Sequence, residues 1–317
     1  MGAKKTLAFL FMVVAIGLLV IYWFFPFSNF EDAKVQNTIQ TNNFTGNPNF
    51  SYTNESKSLQ FYPNLRYKHE DVHYYINSSC PLEKKDEMLR AMNILENKTV
   101  LNFYNSEDPE YKKYNPNTEI LISCQNKNIE RAGVFVAGEG GPVEIVKSGM
   151  FNVIKRGEVL LIRETRCAGP NIALHELLHA LGFDHSDNPK NIMFGTMKCY
   201  QEMGNEIPKE IDRIYSYESL PDLTFEEVSS STHGRYLDFN VSVRNIGLES
   251  SKNSTIKVYA NNKSVKEISL GSLEPGEGTK YMSKNLLIKQ LKLEELKFEI
   301  DSPGQELNKT NNEIILR

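Results

Sequence analysis

Eleven consecutive residues constrain this 317-residue chain more than any other feature: His175-Glu176-Leu177-Leu178-His179-Ala180-Leu181-Gly182-Phe183-Asp184-His185. They hold three of its six histidines. On a helix, His175 and His179 lie four apart, so both imidazoles project from one face at a separation that a single metal ion spans. Glu176 sits one step around that helix and can reach a metal-bound water without being a ligand. Gly182 can take the left-handed conformation that stops a helix and turns the chain back. His185 then returns as a third nitrogen ligand, which leaves the fourth position of a tetrahedral Zn²⁺ for water.

A bare H-E-x-x-H arises by accident often enough to be weak. The extended form needs three His, one Glu and one Gly at fixed places, and chance supplies it on the order of 10⁻⁵ times in such a chain. An amphipathic helix with satisfied core histidines is the alternative that this frequency disfavours. His69, His73 and His233 have no partner spacing around them and read as surface or core packing.

At these residues the sequence resembles the matrixin-like branch of the metzincin metalloproteases. The H-E-x-x-H-x-x-G-x-x-H motif is complete, Ser186 follows His185, and Asn191-Ile192-Met193 stands where such enzymes place the Met-turn. The resemblance extends over about 65 to 217. It implies an α+β metzincin-like catalytic domain, with His175, His179 and His185 as ligands of one catalytic Zn²⁺, Glu176 as general base and Met193 as the floor of the metal site. It leaves additional structural Zn²⁺ or Ca²⁺ open. Three departures stand out. Phe194-Gly195 follows Met193 where matrixins commonly have a nearby Pro, residue 195 is not the Tyr of astacin-like relatives, and no cysteine-switch motif precedes the domain.

The N-terminus predicts a membrane span. After Lys4 and Lys5, Leu7 to Phe27 run without a charge, and the next charges are Glu31 and Asp32. At 1.5 Å per residue, such a helix covers roughly 30 Å of hydrocarbon, and Tyr22 and Trp23 suit its interface. A cleaved signal peptide is the alternative, but its apolar region would usually be shorter, with a small-x-small site where Tyr22-Trp23-Phe24-Phe25-Pro26 stands. Lysines before the span place the N-terminus in the cytoplasm and the rest outside the cell membrane, as a single-pass protein.

Two further features fit that topology. Asn-x-Ser/Thr sequons occur at Asn43, Asn49, Asn54, Asn77, Asn97, Asn240, Asn253, Asn262 and Asn308, although an Asn-rich chain produces several by composition alone. The four cysteines, Cys80, Cys124, Cys167 and Cys199, all follow the span and contain no CxxC. In an oxidising compartment they predict two disulfides. Cys80 with Cys124 and Cys167 with Cys199 is the order expected here, and three pairings are open to any four cysteines.

Composition divides the chain into a cytoplasmic stub and anchor over 1–27, an Asn/Thr/Ser-rich tether over 28–58, the catalytic domain over 59–217 and a last domain over 218–317. In the third part, Met88, Ala91, Met92 and Leu95 mark one helical face after Pro81, and Ile211, Ile214 and Tyr215 mark another after Pro208. Short strands are predicted at Val72 to Ile76, Glu119 to Ser123, Gly133 to Ala137, Val143 to Val146 and Glu158 to Ile162, with Gly138-Glu139-Gly140-Gly141-Pro142 as a turn. Beyond Pro221 the period becomes two: Leu237, Phe239, Val241 and Val243 alternate with polar residues, and similar runs follow at Ile256 to Ala260, Val265 to Leu270 and Leu296 to Ile300. About 100 residues of this kind predict an all-β sandwich. Asn245-Ile246-Gly247, Leu273-Glu274-Pro275-Gly276 and Glu306 to Asn312 resemble the CARDB family of Ig-like adhesion modules. The sandwich is expected to be an independently folding spacer or adhesion module with a surface ligand and no catalytic part, since it contributes only His233 and no ligand spacing.

The net charge is -4, and because Lys4 and Lys5 are the only charges before residue 28, the remainder carries -6. That disfavours nucleic acid as the main partner. The expected partners are a peptide or protein substrate and, through the anchor, the lipid bilayer. Together these features predict a membrane-anchored zinc metalloendopeptidase. Its rivals are a surface adhesion protein with a vestigial protease domain, which the intact Glu176 opposes, and a zinc hydrolase acting on other bonds.

Overall fold

The structure is a computed structural model that describes residues 59–106, 118–126, 130–131, 134–163, 167–289 and 292–317. The predicted span, the tether and the sequons at Asn43, Asn49 and Asn54 lie outside the described residues. Among the described residues no helix is long and apolar enough to cross a membrane.

The first half alternates strands and helices: β1 (Leu65–Arg66), β2 (Asp71–Ile76), α1 (Leu82–Glu96), β3 (Asn102–Asn105), β4 (Ile120–Cys124), β5 (Glu130–Arg131), β6 (Val134–Phe135), β7 (Gly138–Ser148), β8 (Phe151–Leu161), α2 (Asn171–Ala180) and α3 (Glu206–Tyr215). β3, β2, β4 and β8 pair in parallel in that order. β7 runs antiparallel along one whole edge of β8, while β1 and β4 share the other. β5 and β6 form a separate two-residue hairpin. α1 buries the predicted Met88, Ala91, Met92 and Leu95. It also buries Lys84, whose Nζ donates to the carbonyls of Gln125 and Ile162 at 2.7 and 3.0 Å and to Asn126 Oδ1 at 2.8 Å. That ammonium ties the ends of β4 and β8 together. Cys80 is bonded to Cys124 and Cys167 to Cys199, so one bridge joins the start of α1 to β4 and the other encloses α2.

One sequence expectation is corrected here. Gly138-Glu139-Gly140-Gly141-Pro142 is not a turn but the first half of β7, and the strand predicted before it is reduced to Val134–Phe135. The glycines serve close approach. A Cβ on Gly140 would stand 2.1 Å from the Glu176 carbonyl oxygen, and one on Gly138 would stand 2.7 Å from Glu176 Cγ. Side chains there would hold α2 off the sheet.

The second half is all strand: β9 (Leu223–His233), β10 (Tyr236–Asn245), β11 (Ser254–Ala260), β12 (Lys263–Gly271), β13 (Gly278–Leu287), β14 (Leu296–Asp301) and β15 (Glu313–Leu316). A three-stranded sheet β13-β10-β9 and a four-stranded sheet β12-β11-β14-β15 enclose a core of Phe239, Val241, Ile256, Val258, Phe298 and Ile300. The alternation in β10, β11 and β14 was readable because those strands bury every second residue. β9, β13 and β15 escaped because they are edge strands and bury little. Four sequon asparagines, Asn97, Asn253, Asn262 and Asn308, are exposed, and Asn77 and Asn240 are half-buried.

The two halves are not joined as beads on a string. Arg66 of β1 is buried, and its guanidinium donates to the carbonyls of Ile214 and Tyr217 and to Ser219 Oγ. The connecting segment is thus pinned to the sheet. Beside it, Glu249 of the sandwich meets His69 Nε2 at 2.9 Å and Lys68 Nζ at 3.1 Å, while Lys155 reaches Glu274 at 3.4 Å. The hydrogen bond with His69 is the main reason that Glu249 is pulled down to about 2, and the same bond raises His69. Stability from Glu249 is present above its unfolded value of about 4.3 and is lost as pH falls toward the folded value. Stability from His69 is present below about 6.5 and is lost as pH rises through its elevated folded value. The junction should therefore be tightest between about pH 4.5 and 6.5. Amide exchange at residues 246–250, corrected for intrinsic rates, should be slowest in that window, and a flat profile would contradict the assignment.

Candidate metal centre

α2 is buried along its whole length: Ile172, Ala173, Leu174, Leu177, Leu178 and Ala180 are buried, and so are the polar Asn171, His175, Glu176 and His179. Its end is a Schellman stop. Phe183 N donates to Leu178 O at 3.0 Å and Gly182 N to His179 O at 2.9 Å, with Gly182 at φ +97. A Cβ there would also meet Leu65 Cδ2 at 2.6 Å, so the position needs glycine twice over. The reversal brings His185 back to the helix. His179 Nε2 lies 3.0 Å from His175 Nε2 and 3.2 Å from His185 Nε2, and the three residues can each offer a ligand atom within 4.8 Å of the others. His185 is exposed, so the cluster opens to solvent on that side.

The second ring nitrogens set the tautomers. His175 Nδ1 donates to Ile192 O at 2.6 Å and His179 Nδ1 to Phe183 O at 2.8 Å. Both Nε2 atoms therefore present lone pairs to the same point. Burial first, and the neighbouring His175 second, push His179 down to about 3, so a proton is a poor occupant there. Three imidazole nitrogens about 3.3 Å apart are what a tetrahedral ion with bonds of 2.0–2.1 Å requires, and His179 Nε2 stands 3.0 and 3.2 Å from the other two. The donor set fits Zn²⁺.

Ile192, which holds His175, belongs to a tight turn. Met193 N donates to Asn191 Oδ1 at 2.8 Å, Ser186 N donates to Met193 O at 2.9 Å, and Asn191 Nδ2 donates to Glu206 of α3. Met193 is buried in the main core. Three contributors were not legible in the sequence. Phe61 stacks on the His179 ring at 5.7 Å, Glu206 anchors the turn, and Gly138 and Gly140 receive α2. Their signals are single residues far along the chain from the motif.

Glu176 is buried beside the histidines, with its side chain against Gly138. Burial, helped by Glu139, raises its carboxyl to about 8, and a cation held by the adjacent histidines would favour the ionised form that can accept a proton. His69, His73 and His233 lie elsewhere. His69 pairs with Glu249, His73 lies 3.8 Å from Glu119, and His233 meets Asn285.

Comparison with known proteins finds two families along the chain. Residues 66–220 match the matrixin family model and residues 220–315 match that of CARDB. The chain therefore has a matrixin-like domain followed by an all-β CARDB domain. Two solved structures are similar in the latter region. The crystal structure of a CARDB domain from Pyrococcus furiosus in complex with di-metal ions is 22% identical, covering 31% of this chain and 85% of that one, with a TM-score of 0.27. The solution structure of a CARDB domain from the same organism is 24% identical, covering 31% and 92%, with a TM-score of 0.27. No curated protein matches.

Proposed function

We propose that this protein is a zinc metalloendopeptidase, anchored by residues 7–27 in the cell membrane with its N-terminus in the cytoplasm and both domains outside. The observation that carries the reading is the convergence of His175, His179 and His185 beside a buried carboxylate, Glu176. The two disulfides and the exposed sequon asparagines support an extracytoplasmic site. The three histidines would hold one Zn²⁺, which when bound acidifies a water and polarises a peptide carbonyl. Glu176 then takes the proton of the attacking water and passes it to the leaving amine. β7 has no strand on its outer side among the described residues. It is the edge against which an extended peptide would lie.

The test is a proteomic cleavage-site profile with purified residues 59–317 and with Glu176→Ala. Discrete cleavages present only with the unchanged protein support the reading. Equal profiles would favour an adhesion protein with a vestigial protease domain. For the topology, protease added to intact cells should remove both domains, and loss only after lysis would overturn the orientation.

A further inference from the structure

The far end of β7 is held by the sandwich. Ser148, its last residue, is fully buried, and its Oγ donates to the carbonyl of Gly247 at 2.5 Å, with the carbonyl of Asn245 3.3 Å away. At the turn that follows, Gly149 has φ +56, and a Cβ on it would lie 2.6 Å from Ile246 O. From the other side, a Cβ on Gly276 would lie 2.5 Å from Lys147 O and from Val146 Cγ1. Phe151 and Val153 of β8 close the contact in a small core of their own with Leu248 and Leu307.

The residues that grip the hairpin are those of the Asn-x-Gly and Leu-x-Pro-Gly turns. Asn245 shapes that end: its Nδ2 donates to the carbonyls of Glu249 and Leu273 at 2.7 and 2.8 Å, and its Oδ1 accepts from Asp222 N and Gly247 N. Glu306 accepts from Leu223 N at 3.0 Å, and Leu307 N donates to Pro221 O at 2.9 Å. The sequence predicts a spacer or adhesion module. These turns also form a cradle for β7 and β8, and β7 at its other end lies against Glu176 through Gly138 and Gly140.

We propose that the sandwich is a positioning part of the peptidase: it clamps the β7–β8 hairpin and so fixes the edge strand along which the substrate lies. Ser148 and Gly276 are positioning residues, and neither touches the reacting atoms. The substrate half of the proposal rests on the peptidase reading above, and the clamp half does not.

The experiment uses the full chain and Gly276→Val, which wedges the cradle from the sandwich side, with Ser148→Ala as a milder variant should the first fail to fold. Amide exchange over residues 143–151 and zinc content are measured first. Turnover is then compared on a long peptide and on a short one that does not reach the distal half of β7. The expected result is faster exchange at the hairpin, unchanged zinc, and kcat/KM for the long peptide lowered about 10-fold through KM, with the short peptide unaffected. Unchanged exchange in a folded variant would overturn the clamp. Faster exchange with equal KM for both peptides would overturn its role in positioning substrate. If the unchanged protein cuts neither peptide, the peptidase reading fails, and the exchange measurement still decides the clamp.

Discussion

Glu176→Ala is expected to keep about one zinc per chain and to lose peptide turnover by about 10²-fold or more. The carboxylate is buried but is not one of the three converging nitrogen donors, so removing it leaves the metal's protein bonds in place. Glu176→Asp should also be impaired, because shortening the side chain by about one methylene withdraws the oxygen from hydrogen-bond reach of the water. Zinc measured by elemental analysis, with turnover on a fluorogenic peptide, separates the two roles. A Glu176→Ala protein with undiminished turnover would remove the residue from the mechanism.

The second large effect is expected at a residue that carries no chemistry. Gly140→Ala places a methyl 2.1 Å from the Glu176 carbonyl oxygen, a backbone atom that cannot swing away. Either β7 or α2 has to move, at a cost of about 3 kcal/mol. Because α2 carries His175 and His179, zinc affinity should fall with stability. Gly141→Ala is the internal control. Its Cβ meets nothing within 4 Å, and the change should stay within about 0.5 kcal/mol. Denaturant unfolding of the two variants is the measurement, and equal stabilities would mean that the helix is not seated on the strand as described.

These two positions show why parts of the molecule could be read from sequence and parts could not. His175, His179, Gly182 and His185 are legible because helix periodicity and one left-handed residue convert spacing directly into geometry. Leu237 to Val243 are legible for the same reason, at period two. Gly140 misled because glycine has two uses, turning a chain and admitting a neighbour. Only the placement of α2, more than thirty residues later, tells them apart. Phe61 on His179, and Ser148 in the sandwich's cradle, depend on contacts across the fold for which a single sequence has no local marker.

The central claim is that three histidines hold one zinc for chemistry by Glu176, and zinc stoichiometry of His179→Ala tests it most directly. His179 stands between the other two nitrogens, at 3.0 and 3.2 Å. Without it, two imidazoles hold the ion poorly. After dialysis against a weak chelator, the unchanged protein should retain about one zinc per chain and His179→Ala nearly none, with peptide turnover lost in parallel. Full zinc occupancy in His179→Ala would contradict the ligand assignment and the mechanism built on it.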